Sequence, residues 1–247
     1  MYSWEPEFLE PARRRSVRVT DMRKKRGRMF ESTADTGARV SRYDVVLFDL
    51  LTALLDSASL WNAVSGSADD GARWRAEYLR LTFATGPYRP YEALVAEAAA
   101  AVGLSPALAG ALADRYGELQ PWPEAPVVLR SLAAAGLRLG VVTNGSEHLG
   151  RIAAACVGVP LDAVVTAEQA GWYKPAAEPY VMAMSMLAAP VSRCLFVAGS
   201  AFDLVGTSRL TLATYWHNRR GAALPRDISP PLTVERSLEP LPSLVLH

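Results

Sequence analysis

The stretch Tyr43-Asp44-Val45-Val46-Leu47-Phe48-Asp49-Leu50-Leu51-Thr52-Ala53-Leu54 decides the fold. Val45 to Phe48 is an unbroken apolar run that stops at a carboxylate, Asp49. A strand wetted on one face alternates apolar and polar residues, whereas a continuous apolar run belongs to a strand covered on both faces of a parallel sheet. Four more runs have this character: Leu137 to Val142, Ala163 to Val165, Cys194 to Val197 and Leu212 to Trp216. Helix-like stretches over 126–135, 147–156 and 177–188 separate them. Strands alternating with helices at this spacing predict an α/β fold, a three-layer doubly wound parallel sheet.

Outward from this frame the pattern changes. Between Leu55 and Trp122 the chain is Ala/Leu-rich and helical, with no convincing strand, which reads as a helical insertion directly after the first strand. The expected organisation is an α/β core over 41–58 and 122–225, the insertion over 59–121, and a Pro-rich tail over 226–247 read as a loop with a short docked end. Residues 1–43 hold eleven Lys/Arg against six Asp/Glu, while the remainder carries a small acidic excess. Residues 1–40 therefore read as a solvated basic leader rather than a nucleic-acid arm.

Composition narrows the function classes. The 247 residues are 50% hydrophobic and 21% charged with a formal net charge of +1, enough apolar content for a large core and no overall field favouring nucleic acid. Cys156 and Cys194 each lie in an apolar run, so neither a disulfide framework nor a zinc cluster is expected. No run nears the ~20 apolar residues of a membrane span, and the N-terminus lacks the apolar core of a secretory signal. The expectation is a cytoplasmic globular protein.

Open α/β sheets bind ligands outside the carboxyl ends of their strands, near the point where strand order reverses. The polar residues there are Asp49 after the first strand, Thr143-Asn144-Gly145-Ser146 after the second, Lys174 beyond the third, and Ser200 with Asp203 after the fourth. Individually each has a bland reading: Asp49 as a helix cap, Lys174 in a surface ion pair, Arg75 as a solvated charge, Tyr180 as packing. His148 and His217 have no partner at metal or triad spacing and read as structural.

In order along the chain, Phe48-Asp49-Leu50-Leu51-Thr52-Ala53-Leu54, Val142-Thr143-Asn144-Gly145, Tyr173-Lys174-Pro175 and Gly199-Ser200-Ala201-Phe202-Asp203 resemble the four motifs of the haloacid dehalogenase superfamily. The resemblance spans Tyr43 to about Gly221. It implies a Rossmann-like core with a cap domain at the insertion. Within the superfamily the chain is most similar to the L-2-haloacid dehalogenases. Trp74-Arg75-Ala76-Glu77-Tyr78-Leu79-Arg80-Leu81-Thr82-Phe83 looks like their cap helix. Ser200-Ala201-Phe202-Asp203 is similar to their Asn-Ala-Trp-Asp, and Trp216-His217-Asn218-Arg219 to their Trp-Ile-Asn-Arg. A phosphatase of the superfamily needs an acid two residues beyond its nucleophile to protonate the leaving oxygen, and Leu51 cannot serve. Halide leaves carbon as a stable anion and needs no such acid.

The resemblance implies Asp49 as nucleophile, Lys174 keeping it ionised, and Asp203 with Ser200 positioning Lys174 and the hydrolytic water. It implies Thr143 on the substrate carboxylate, Asn144 and Arg75 on the halide, and Leu51, Tyr180 and Phe202 around the substrate. It implies no metal and no cofactor, a small carboxylic acid as the bound partner, no nucleic-acid or membrane partner, and leaves a homodimer open. Three departures weigh against full activity. Ala53 stands where the family has a Thr that bonds the nucleophile, Thr52 replaces a Gly, and Ser200 replaces an Asn. These favour a second reading, a repurposed binding or non-hydrolytic protein, ahead of a phosphatase. If the site is blunted, Ala53→Thr should restore it.

Overall fold

A computed structural model describes residues 41–246; the basic leader read over 1–40 lies outside the described residues. The strands are β1 (Val45–Asp49), β2 (Arg138–Thr143), β3 (Ala163–Thr166), β4 (Cys194–Ala198), β5 (Ala213–His217) and β6 (Thr233–Glu235), forming one sheet in the order β3-β2-β1-β4-β5-β6. Every neighbouring pair is parallel. The chain runs outward from β1 through β2 to β3, then crosses back to β4 on the other side of β1. The reversal of strand order thus falls between β1 and β4, where their carboxyl ends diverge.

The unbroken apolar runs follow from two covered faces. Along β1, Val46 and Phe48 join one core cluster and Val45 and Leu47 the other, the period-two alternation of a strand. All four are wholly buried. The first cluster takes in α5 (Ala125–Ala134) and α6 (Glu147–Cys156). The second takes in α8 (Ala177–Met186) and Leu204 of α9 (Ala201–Arg209).

Between β1 and α5 stand α1 (Ser57–Ser65), α2 (Ala68–Thr85), α3 (Tyr91–Ala101) and α4 (Leu108–Asp114). The longest, α2, starts at Ser67, whose hydroxyl accepts from Asp70 N at 3.0 Å, and carries Asp69 and Asp70 in its positive first turn. Its buried residues Trp74, Tyr78 and Thr82 recur every four positions and form one face. Gly71 lets α1 and α2 touch, since a Cβ there would lie 2.3 Å from Asn62 Oδ1. Trp74 Nε1 donates to Val95 O at 2.8 Å, and Tyr78 donates its hydroxyl proton to Asn144 O at 2.8 Å. The second bond fastens the helical layer to the loop that follows β2.

The tail differs from expectation. Thr233–Glu235 adds β6 to the sheet edge, and α10 (Leu241–Leu246), following α7 (Ala167–Ala170) and the other helices in chain order, packs on α5. Leu238, Leu241 and Val245 are wholly buried in the first cluster. A three-residue strand is too short to display a period, so only its pairing with β5 defines it.

Candidate active site

The site begins with a turn. After β1 the backbone makes one turn of π-helix, Leu50–Leu54, closed by Leu55 N donating to Leu50 O at 3.1 Å. Such wide turns concentrate at functional positions. Asp49 caps it: its Oδ2 accepts from Thr52 N at 2.8 Å, Ala53 N at 3.2 Å and the Thr52 hydroxyl at 2.5 Å. Oδ1 accepts from Lys174 Nζ at 2.7 Å. The capping reading and the catalytic reading of Asp49 therefore coexist: one oxygen caps the turn while the other faces a cation.

Lys174 arrives from the segment between α7 and α8, and Asn144 clamps that segment. Asn144 Oδ1 accepts from Lys174 N at 2.8 Å, and Asn144 Nδ2 donates to Lys174 O at 3.1 Å. The ammonium spans Asp49 and Asp203, donating to Asp203 Oδ1 at 2.8 Å. Asp203 Oδ2 accepts from Gly199 N and Ser200 N at 3.2 Å each, and from Ser200 Oγ at 3.1 Å. Ser200 and Asp203 thereby form the capping box that starts α9.

All three charged groups are buried. Burial disfavours the Asp49 carboxylate, yet the Lys174 charge and the hydrogen bonds from Lys174 and Thr52 outweigh it and hold Asp49 below its ordinary value. Burial and the neighbouring Asp49 charge push Asp203 upward against the pull of Lys174. Burial opposes the Lys174 cation, but Asp203 and Asp49 together raise its pKa. Two carboxylates of unequal pKa around one ammonium give an ionised candidate nucleophile beside a more basic carboxylate.

The triad faces a cavity. Asp49, Leu51, Arg75, Asn144, Lys174, Ser200, Phe202 and Asp203 border it, eight of the ten residues singled out from the sequence. Phe202 meets Phe83 of α2 with ring centroids 5.1 Å apart, joining the helical layer to α9 at the cavity wall. Thr143 and Tyr180 stand elsewhere. Thr143 Oγ1 is buried off the cavity wall with no hydrogen-bond partner among the described residues. Tyr180 packs edge-on against Phe196 at 5.1 Å, behind the site, and Phe196 in turn lies 5.7 Å from Lys174 Nζ.

Thr52 is the residue sequence reasoning misread. Read as a departure that weighs against activity, it instead supplies a hydroxyl to Asp49. Ala53, where the family carries that hydroxyl, is wholly buried. Gly199 makes room for this arrangement: a Cβ there would fall 2.2 Å from both Thr52 Oγ1 and Ala53 N. Neither the backbone nor a hydrogen-bonded hydroxyl yields cheaply. Gly199→Ala is therefore expected to cost about 2–3 kcal/mol of stability and to disturb Asp49, as chemical denaturation with a parallel activity assay will report.

A family model described as haloacid dehalogenase-like hydrolase matches residues 43–206, from the start of β1 through most of α9. The chain belongs to the haloacid dehalogenase-like hydrolases. Among its relatives, (S)-2-haloacid dehalogenase H-109 of Pseudomonas putida is 28% identical over 193 residues, covering 72% of this chain and 86% of that one. Haloacetate dehalogenase H-2 of Moraxella sp. (strain B) is 26% identical over 200 residues, covering 74% of this chain and 89% of the other. The solved structure of L-2-haloacid dehalogenase from Xanthobacter autotrophicus with chloropropionic acid covalently bound shares the fold. Its TM-score is 0.74 at 21% identity, with 82% of this chain and 98% of that chain covered. As a haloacid dehalogenase-like hydrolase, the chain carries the family's four motifs around one cavity with three of their side chains altered, Thr52, Ala53 and Ser200. No helix among the described residues is long and apolar enough to cross a membrane.

Proposed function

We propose that this hydrolase displaces halide from a small 2-substituted carboxylic acid through an ester on Asp49, without a metal ion. The observation that carries the reading is the ammonium of Lys174 at 2.7 Å from Asp49 Oδ1, which keeps a buried carboxylate ionised and nucleophilic at neutral pH. Relatives named as (S)-2-haloacid and haloacetate dehalogenases support the substrate class.

In the first step an Asp49 oxygen attacks the carbon bearing the halogen; the C–O ester bond forms as the carbon–halogen bond breaks, and the pair of electrons leaves with halide. Leu51 carries no proton to give, and none is needed. Arg75 and the second N–H of Asn144 are placed to receive the anion. In the second step water attacks the Asp49 ester carbonyl, regenerating the carboxylate and releasing the 2-hydroxy acid. Asp203, with its raised pKa, is the acceptor for the proton of that water, and Ser200 orients it. Thr143 leaves the substrate-binding set, and Tyr180 supports Lys174 from behind. Ser57, whose buried hydroxyl borders the cavity and has no partner among the described residues, is the group offered to the substrate carboxylate. Residues 59–121 act as the cap that excludes water from the strand ends.

Thr52 changes the weight of the non-hydrolytic reading. The positioning hydroxyl absent at Ala53 reaches the same carboxylate from one residue earlier, so Ala53→Thr should add little. A hydrogen bond to a charged group contributes about 1.5–3 kcal/mol, so Thr52→Ala should lower kcat roughly 10- to 100-fold. The double change Thr52→Gly with Ala53→Thr should recover most of that loss by moving the hydroxyl back. Independent, additive losses in the double variant would contradict the shared role of the two positions.

The reading itself is tested by halide release from (S)-2-chloropropionate in buffer containing a chelator. Steady release above the uncatalysed rate is expected. Activity that appears only when a divalent cation is added, and then on phosphate esters rather than haloacids, overturns it.

A further inference from the structure

The cavity at Asp49 adjoins a second one, and Leu51, Ser57, Arg75, Leu79 and Ser200 border both. A 2-chloropropionate-sized acid has no use for the second space. Three guanidinium groups, Arg75, Arg219 and Arg220, border it, against one carboxylate, Asp56.

These three guanidinium groups are not equivalent. Arg219 is paired with Glu124 and stacked over Trp122 at 4.3 Å from the ring centroid. Arg220 is mostly exposed, and its nearest carboxylate, Asp56, stands 4.0 Å away. Arg75 makes no hydrogen bond or ion pair among the described residues. Burial and the neighbouring Arg220 both pull its pKa below the ordinary guanidinium value, with Asp49 opposing them. Arg75 thus faces the cavity without a carboxylate partner among the described residues, and Arg220 has only the long contact to Asp56. Such an arrangement is unfavourable for the protein alone and is relieved by an oxyanion that both guanidinium forks can bind.

We infer that the acid this hydrolase turns over carries a second oxyanion group, separated from the reacting carbon by a short chain and seated between Arg75 and Arg220. The inference rests on the reading of Asp49 as the nucleophile. Arg75 borders both cavities, so a substrate whose reacting carbon meets Asp49 extends past Arg75 to reach Arg220. The recognised chemistry is an oxyanion, either carboxylate or phosphonate-like.

Unreactive acids test this without turnover. Calorimetric titration compares glutarate, 3-phosphonopropionate and butanoate on the wild-type protein and on Arg220→Gln. A charge-assisted pair with Arg220 should make at least one of the two dianions bind about 10-fold or more tightly than butanoate. The tighter of the two identifies the oxyanion. Arg220→Gln should erase the advantage while leaving butanoate affinity and halide release from (S)-2-chloropropionate unchanged. Equal or undetectable binding of all three acids, or an advantage that survives in Arg220→Gln, overturns the inference. Loss of turnover on 2-chloropropionate bears on the proposed hydrolase reading alone, because the titrations do not require it.

Discussion

Asp49→Asn is expected to lower halide release from (S)-2-chloropropionate by about 10⁴-fold or more, with the fold intact. The amide keeps an oxygen for the capping bonds from Thr52 N, Ala53 N and the Thr52 hydroxyl, so the turn after β1 persists. It brings no anionic nucleophile to the carbon, and water in its place lacks both the fixed position and the basicity of the carboxylate. Its other end meets Lys174, and an NH2 group facing an ammonium is repulsive, so a modest loss of stability accompanies the loss of rate. Unchanged circular dichroism with rate loss of this size supports Asp49 as the reacting group. A loss of only a few-fold would make Asp49 a structural cap and no more.

The second large effect belongs to Lys174. Lys174→Met removes the cation between Asp49 and Asp203 and leaves two buried carboxylates facing each other. Removing one partner of a buried charge pair costs about 3–5 kcal/mol, so denaturation should detect a substantial destabilisation near neutral pH. The activity profile should move as well. Asp49 attacks only when ionised, so rate is lost as pH falls through its pKa. In the native protein that pKa is held below its ordinary value of 3.8, against the opposing effect of burial. Without the ammonium, burial acts unopposed by a charge, and the acidic limb of kcat/KM should shift upward by about 1–3 pH units. Stability follows the same sign: the contribution of the depressed Asp49 pKa is present above its unfolded value and disappears as pH falls through the folded one. Asp203, with its raised pKa, contributes in the opposite sense. Lys174→Met at low pH, where both carboxylates are protonated, should therefore lose less stability than at neutral pH.

The elements legible in the sequence are those whose cause is local. β1 was readable because two covered faces leave no polar position between Val45 and Phe48, and 147–156 coincides with α6 because Ser146 caps a helix with an amphipathic face. Asp49, Lys174 and Asp203 were readable because strand ends next to a reversal of strand order collect reactive groups, wherever the intervening chain wanders. What escaped depends on contacts between distant segments. Which of Thr52 and Ala53 reaches Asp49 is set by the π-helical turn and by Gly199, nearly 150 residues away in the chain. Thr143 shares its motif with Asn144, yet adjacent residues leaving a strand point to opposite sides, and only Asn144 borders the cavity. β6 exists through its pairing with β5. The second cavity joins residues of α2 to the segment after β5, a proximity that no spacing in the sequence announces.

Single turnover in water enriched in oxygen-18, with enzyme in excess over (S)-2-chloropropionate, tests the Asp49 ester most directly. Mass spectrometry of the peptide containing Asp49 should find heavy oxygen in that carboxylate, because water attacks the ester carbonyl of the enzyme, and the released 2-hydroxy acid should carry unlabelled oxygen at the reacted carbon. Label in the product hydroxyl with none in Asp49 would mean that water, and not this carboxylate, displaces the halide.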